Sequence, residues 1–215
     1  MSLKVRLLIL VAVVATAAQA VSATAQAGTT VTALPHGTGK TAHHVIDAAG
    51  AAVTCAKPNF TAITVDGGEA ATLELSGSYT GLCTFVGQES TNNLGGCHYV
   101  LHANGEVDVA GANCAAEPIT FSVPSPPCVL EIGPQSGLKS ASFTNLNEGE
   151  GPKREITAAL SLTGIKYTAT GSGCPEVGTK TTGLYTTGNT LLTAERTGSE
   201  TMAGLWVESG AFQVE

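Results

Sequence analysis

Charge is scarce in this chain. Only 13% of its 215 residues are charged, and 10 basic against 17 acidic residues give a formal net charge of −7. Net acidity offers no electrostatic footprint for a nucleic-acid partner. Scarce charge beside 26 Gly and 9 Pro excludes a long coiled coil. Aromatic residues make up 5%, with a single Trp, so little is available for stacking on sugars. No C-x-x-C pair occurs, which argues against structural zinc. No G-x-S-x-G elbow and no EF-hand loop occur either. At 43% hydrophobic, the chain is too apolar for intrinsic disorder.

What is present begins with a leader. Lys4 and Arg6 are followed by the apolar core Leu7, Leu8, Ile9, Leu10, Val11, Ala12, Val13 and Val14. Small-x-small sites follow at Ala18-Gln19-Ala20, Ala23-Thr24-Ala25 and Ala25-Gln26-Ala27. Residues 1–27 therefore read as a secretory signal peptide, cleaved on export. The apolar core is shorter than the ~20 residues a membrane helix needs, and the mature chain has no other candidate span. Cleavage leaves 8 basic and 17 acidic residues, net −9. Residues 28–52 are expected to form a partly ordered N-terminal arm, and 53–215 a single β domain.

The mature part keeps six cysteines: Cys55, Cys83, Cys97, Cys114, Cys128 and Cys174. An even count in an exported chain predicts three disulfides. A weak internal repeat bears on their connectivity. Leu75-Ser76-Gly77-Ser78-Tyr79-Thr80-Gly81-Leu82-Cys83 parallels Leu162-Thr163-Gly164-Ile165-Lys166-Tyr167-Thr168-Ala169-Thr170-Gly171-Ser172-Gly173-Cys174. Two units, 53–124 and 125–210, would each run Cys, strand, Cys, hairpin, strand around one core. Equivalent cysteines would then pair equivalently: Cys55 with Cys83, Cys128 with Cys174, and Cys97 with Cys114 across the first hairpin. Pro124, Pro126 and Pro127 would be the joint between units.

Short alternating apolar runs separated by Gly, Asn, Pro and Ser predict an all-β fold, an antiparallel sandwich or barrel. Expected strands are 62–65, 71–75, 97–102, 106–110, 119–123, 129–132, 140–144, 156–162, 165–170, 183–187, 190–194 and 204–208. A three-residue loop, Ala103-Asn104-Gly105, sets Leu101 opposite Val107 and His102 opposite Glu106, with Gly105 at the left-handed position. In the second unit, Gly188-Asn189 reads as a two-residue turn that sets Tyr185 opposite Leu192.

The candidate chemistry is thin. His98 and His102 share a face with Glu106 and Asp108, but residues four apart on a strand stand roughly 13 Å apart. They read as a solvated face with a His102–Glu106 pair, not a metal site. His43, His44 and Asp47, with His36 nearby, fall in the expected arm. Asp66-Gly67-Gly68-Glu69 and Glu148-Gly149-Glu150-Gly151 read as acidic turns. Asn59-Phe60-Thr61 is a glycosylation sequon only in a eukaryotic secretory pathway. Trp206 reads as a packing residue. These residues supply no catalytic set, no metal site and no cofactor motif.

Val53-Thr54-Cys55, the 75–83 run, Gly96-Cys97-His98-Tyr99, Leu162-Thr163-Gly164-Ile165-Lys166-Tyr167 and Gly173-Cys174-Pro175 give the chain a family likeness. From about residue 53 to 208 it resembles a group of uncharacterised exported β-rich, six-cysteine proteins of high-GC bacteria. The resemblance implies export and a disulfide-stapled β fold, and carries no activity and no site residue. The leading expectation is a secreted or cell-surface non-enzymatic β module with a binding or structural role and an extracellular or envelope partner. An exported hydrolase of cell-wall or carbohydrate material, and a secreted inhibitor-like binder, are the alternatives.

Overall fold

The computed structural model describes residues 28–36, 43–65, 68–146, 155–196 and 202–214. Residues 1–27, read above as a leader, residues 66–67 of one acidic turn and the whole turn at 148–151 lie outside the described residues. The described chain is all-β, with twenty strands. They are β1 (Gly28–Pro35), β2 (His44–Ala48), β3 (Ala51–Cys55), β4 (Pro58–Val65), β5 (Glu69–Ala70), β6 (Thr72–Tyr79), β7 (Cys83–Phe85), β8 (Gln88–Asn93), β9 (His98–His102) and β10 (Glu106–Ala110). Then come β11 (Ile119–Pro124), β12 (Pro127–Ile132), β13 (Gln135–Lys139), β14 (Ala141–Leu146), β15 (Glu155–Thr170), β16 (Gly178–Thr187), β17 (Thr190–Arg196), β18 (Met202–Ala203), β19 (Leu205–Glu208) and β20 (Ala211–Val214).

Their pairing closes a ring. β2 pairs with β3, β3 with β7, β7 with β8, β8 with β11, β11 with β12, β12 with β15, β15 with β16, and β16 with β2, always antiparallel. This is a closed eight-strand barrel. A second tier repeats the same order: β17–β1–β4–β6–β9–β10–β13 on one side, and β14–β15–β17 on the other. Its two ends, β13 and β14, are consecutive in the chain. Each second-tier strand continues a ring strand, β1 into β2, β3 into β4, β6 into β7, and so on round the ring. The fold is therefore a set of eight long up-and-down staves, each running through both tiers. Seven are interrupted between the tiers, at a level we call the waist, and β15 alone crosses it unbroken.

β15 crosses by absorbing one extra residue. Ile156, Ala158, Leu160 and Leu162 face inward before the break, and Ile165, Tyr167 and Ala169 after it. The phase changes at Gly164, whose φ of 77° only glycine adopts without strain. This is why the sequence shows two strands, 156–162 and 165–170, where there is one.

Inward alternation fills the barrel with one continuous core, as expected when eight strands leave room for side chains only. One end carries four hairpin connections: Ala49-Gly50, Val86-Gly87, Ser125-Pro126 and residues 171–177. At the other end β19 and β20 form a hairpin that pairs with β5. It touches β6 on one side of the ring and β14, β15 and β17 on the other, so it spans the mouth. Leu205, Phe212 and Val214 are buried beneath it, with the Phe212 and Phe143 rings 5.1 Å apart.

Several expectations need correction. The partly ordered arm expected over 28–52 is, where it is described (28–36 and 43–52), part of the barrel wall. β1 is inserted between β4 and β17, and β2 between β3 and β16. Thr29, Val31 and Ala33 are buried, an alternation masked in sequence by the hydroxyls. Gly188-Asn189 is no hairpin turn. β16 pairs with β15 and β2, while β17 pairs with β1 and β15, so Tyr185 lies opposite Leu162 and Ile46. The dipeptide marks a waist crossing. Pro124 and Pro127 are paired residues closing the β11–β12 hairpin, not a joint between units. The Ala103–Gly105 loop is as expected, with Leu101 opposite Val107 and Gly105 at φ 88°.

Disulfides join Cys55 to Cys83, Cys97 to Cys114 and Cys128 to Cys174, the pairs the repeat suggested. The staves carrying Cys128 and Cys174 lie four places round the ring from those carrying Cys55 and Cys83. The bridges sit at different levels, however. Cys55–Cys83 and Cys97–Cys114 brace the waist, whereas Cys174 lies beyond the end of β15, at the hairpin end.

Where staves break, ladder bonds are missing, and other groups replace them. Beside Cys55–Cys83, Ala56 N–H donates to Leu82 O and Thr80 N–H to Lys57 O. Between β1–β2 and β16–β17, His36 N–H donates to Asn189 O and Gly188 N–H to His43 O. Between β12–β13 and β15, the Gln135 side chain acts as a strand. Its Oε1 accepts from Lys166 N–H at 2.9 Å and its Nε2 donates to Lys166 O at 3.2 Å.

Replacing both Cys55 and Cys83 by alanine is expected to lower unfolding stability by about 2–5 kcal/mol. Gln135→Ala is expected to cost about 1–2 kcal/mol through its two lost hydrogen bonds. Urea titration of each variant reads both, and an unchanged midpoint for Gln135→Ala would remove its bracing role.

Candidate functional site

The waist is also where polar side chains gather inside the barrel. His44 opens β2, Tyr79 closes β6, Tyr99 lies in β9, Tyr185 in β16, and Thr190 opens β17. Inward alternation aims them at one another, and Phe60 of β4 completes the layer. The Tyr185 hydroxyl lies 2.6 Å from His44 Nδ1. The Tyr79 hydroxyl is 3.5 Å from those of Tyr185 and Tyr99 and 3.4 Å from His44 Nδ1. Thr190 Oγ1 is 3.4 Å from His44 Nε2. The Tyr99 and Tyr185 rings stack with centroids 6.0 Å apart, while His44 lies parallel to Phe60 and edge-on to Tyr79 and Tyr185.

Burial fixes the protonation of this layer. Desolvation lowers His44 to about 3, so its imidazole is neutral. Burial, then neighbouring phenols, pushes Tyr79 and Tyr99 well above the usual tyrosine value, and burial does the same to Tyr185. Two orderings of opposite direction satisfy the set: Tyr99 donating to Tyr79, Tyr79 to Tyr185, Tyr185 to His44 Nδ1 and His44 Nε2–H to Thr190, or the same chain reversed with the proton on His44 Nδ1. Either gives a neutral, one-directional hydrogen-bond chain. Its short link is Tyr185–His44, and the links near 3.5 Å are weak.

Two small cavities flank the Tyr99–Tyr185 stack. One, of about 30 Å³, lies against Ala33, Leu75, Leu101, Ala158, Leu160 and Leu192. The other, of about 20 Å³, lies against Ile46, Ile119, Ile132, Leu138, Leu162 and Ile165. Each has space for about one water and for no organic ligand.

The outer surface carries the ionic groups. His102 Nε2 is 2.9 Å from Asp108 Oδ2, and Gly137 N–H donates to Asp108 Oδ1 at 2.7 Å. Burial acts to raise Asp108, but the Gly137 and His102 hydrogen bonds outweigh it and hold the carboxyl below its usual value. The expected His102–Glu106 pair is not formed. Glu106 reaches Lys139 at 3.0 Å on β13, a strand the sequence reading did not include, and Lys139 lowers its pKa. His102 pairs on the diagonal instead. His98 approaches Glu74 at 3.7 Å on β6. Among the described residues no three His, Cys, Asp or Glu side chains converge as metal ligands.

Two open clefts also face solvent. One, of about 400 Å³, lies at the hairpin end beside Asp47, Ala51, Tyr167, Glu176 and Thr182. The other, of about 370 Å³, lies beside Ala115, Pro118, Glu131, Lys166 and Tyr167. Tyr167 stands between them, and its hydroxyl accepts from Ala49 N–H at 2.9 Å. Of the histidines the sequence singled out, His44 is buried in the waist and His36 and His43 are exposed. Asp47 reaches the first cleft, Asn59 is exposed on β4, and Trp206 donates to Glu208 at 3.1 Å. Sequence reasoning missed the tyrosine layer, because its members lie far apart in the chain with no shared motif. In comparisons with known proteins, no family model, no curated protein and no solved structure matches the chain.

His44 stays neutral in the folded barrel down to about pH 3 but titrates near 6.5 when unfolded. Its stabilising contribution is therefore full above pH 6.5 and lost as pH falls toward about 3, amounting to at most about 5 kcal/mol. Paired carboxylates such as Asp108 lose theirs only in the acid range below. Urea midpoints at pH 7 and pH 4.5 should differ in the native protein and differ less in His44→Gln. Tyr185→Phe, which leaves His44 Nδ1 without its closest hydrogen-bond partner, is expected to cost about 1–3 kcal/mol at pH 7.

Proposed function

We propose that the chain is an exported, disulfide-locked β-barrel that works through its outer surface, in a binding or structural role and without turnover of its own. The observation that carries this reading is the filled interior. Side chains occupy the barrel through both tiers, hairpin turns ring one end and the β19–β20 hairpin spans the other. A partner therefore meets the outside of the staves. That outside is rich in Thr, Ser and charged side chains, with Leu34, Leu82 and Val177 the large apolar residues exposed among those described. A transmembrane barrel has the reverse arrangement, apolar outside and polar within.

Export is supported by three disulfides and no free cysteine, the usage of an oxidising compartment. It is supported too by the layout of residues 1–27, a basic start and an apolar core followed by small-x-small sites such as Ala25-Gln26-Ala27. The resemblance to exported β-rich proteins of high-GC bacteria points the same way. The partner is then an extracellular or envelope component, with no nucleic acid, cofactor or mature membrane span involved.

Intact mass and N-terminal sequencing of the protein from culture medium test export. The expected result is an N-terminus at or before Gly28 and no thiol alkylated without reduction. Recovery of the full-length, alkylatable chain from cytoplasm would overturn it. Turnover of peptidoglycan or polysaccharide by the purified protein, lost in Asp47→Asn or Glu176→Gln, would replace the non-enzymatic reading with a hydrolase.

A further inference from the structure

Among the described residues, β16 carries a stretch of sheet edge without a partner strand, bounded at the hairpin end by the Glu176 N–H bond to Ala49 O at 3.0 Å. β16 pairs with β2 only over Leu184–Thr187, against Asp47–His44. β2 ends at Ala48 and turns back at Ala49-Gly50, while β16 extends on to Gly178. Residues 178–182 pair with β15 on one side. On the other side they have no strand among the described residues, and all five are exposed. The 400 Å³ cleft lies at this gap, between Thr182 of the edge and the β2–β3 turn, with Glu176 at its margin.

We propose that this gap is a strand-addition site, and that its occupant is an extended, basic segment of a partner protein. The proposal rests on the surface-acting role above and names the kind of partner. Exposed backbone N–H and C=O groups along a strand edge are satisfied most fully by another extended chain. The cleft volume lies in the range that holds a small ligand or a few side chains. Its lining is acidic, with Asp47 and Glu176 and no basic side chain. The mature chain, at net −9, would steer a cationic partner toward it. A second copy of this chain fits poorly. It would bring equal negative charge, and self-pairing of β16 would set Lys180 near its own copy. Lys180 and the register shifts around Ile165 are the usual devices that keep an edge from pairing with itself.

The test uses the purified mature protein and a short synthetic peptide alternating lysine with valine. Fluorescence anisotropy should show saturable binding that weakens as salt rises. The same peptide with alternate backbone amides N-methylated should bind about tenfold more weakly or worse, since it cannot complete the ladder. A glutamate–valine peptide should not bind. Asp47→Asn with Glu176→Gln, both at exposed positions, should weaken binding several-fold without moving the thermal midpoint, and Lys180→Glu should strengthen it. Hydrogen exchange should slow at residues 178–182 in the complex. Equal binding of methylated and unmethylated peptides would reduce the interaction to charge alone and overturn strand addition. No binding, or binding indifferent to Asp47 and Glu176, would overturn the site. Either failure leaves the export and turnover measurements standing independently.

Discussion

The constraint on which this barrel depends is the interruption of its staves. A strand that stops and restarts leaves backbone donors and acceptors unpaired within a buried wall, and such groups are costly unless something meets them. Seven of the eight staves break at one level. Every second seam there is joined by a device other than the ladder. Disulfides join two, the Gln135 side chain copies a strand in the third, and backbone bonds at His36–Asn189 and Gly188–His43 join the fourth. The eighth stave, β15, avoids the break by a bulge at Gly164. The cysteines thus do local work. Two of the three bridges stand where the ladder is thinnest.

The same level explains the one polar feature of the interior. Strand ends and restarts at the waist bring His44, Tyr79, Tyr99, Tyr185 and Thr190 into one layer. Each has an apolar body that packs and a polar tip that must be satisfied. They satisfy one another, with burial holding His44 neutral and the phenols protonated. Such a network is favourable only when each member finds a partner. It therefore favours one relative position of the two tiers over sliding alternatives that apolar packing alone would tolerate.

Much of the architecture was legible from alternation. The strand cores at 97–102, 106–110, 119–123 and 129–132 follow from period-two apolar runs, and Asn104-Gly105 marks its turn by composition. Other turns were hidden. Ala49-Gly50, Val86-Gly87 and Ser209-Gly210 have positive φ at both residues, yet Ala, Val and Ser give no such signal in sequence. β8 reads Gln-Glu-Ser-Thr-Asn-Asn, with nothing apolar to reveal it. β1 buries Thr29 among small residues and so resembles a linker. The waist layer was invisible because its members come from five strands, and only ring closure brings them together. The His102–Asp108 pair depended on β13, whose Lys139 takes Glu106 away.

The seating of β1 between β4 and β17 has a consequence for the order in which the molecule can be assembled. β1 is made first, while one of its two neighbours is among the last strands made. The other seams join neighbouring staves and can zip as they emerge, and each disulfide ties staves that are adjacent in the chain. The final seam alone must wait for nearly the whole polypeptide. A chain built this way stays an open sheet until its last staves are made, and becomes a barrel only when β17 reaches β1.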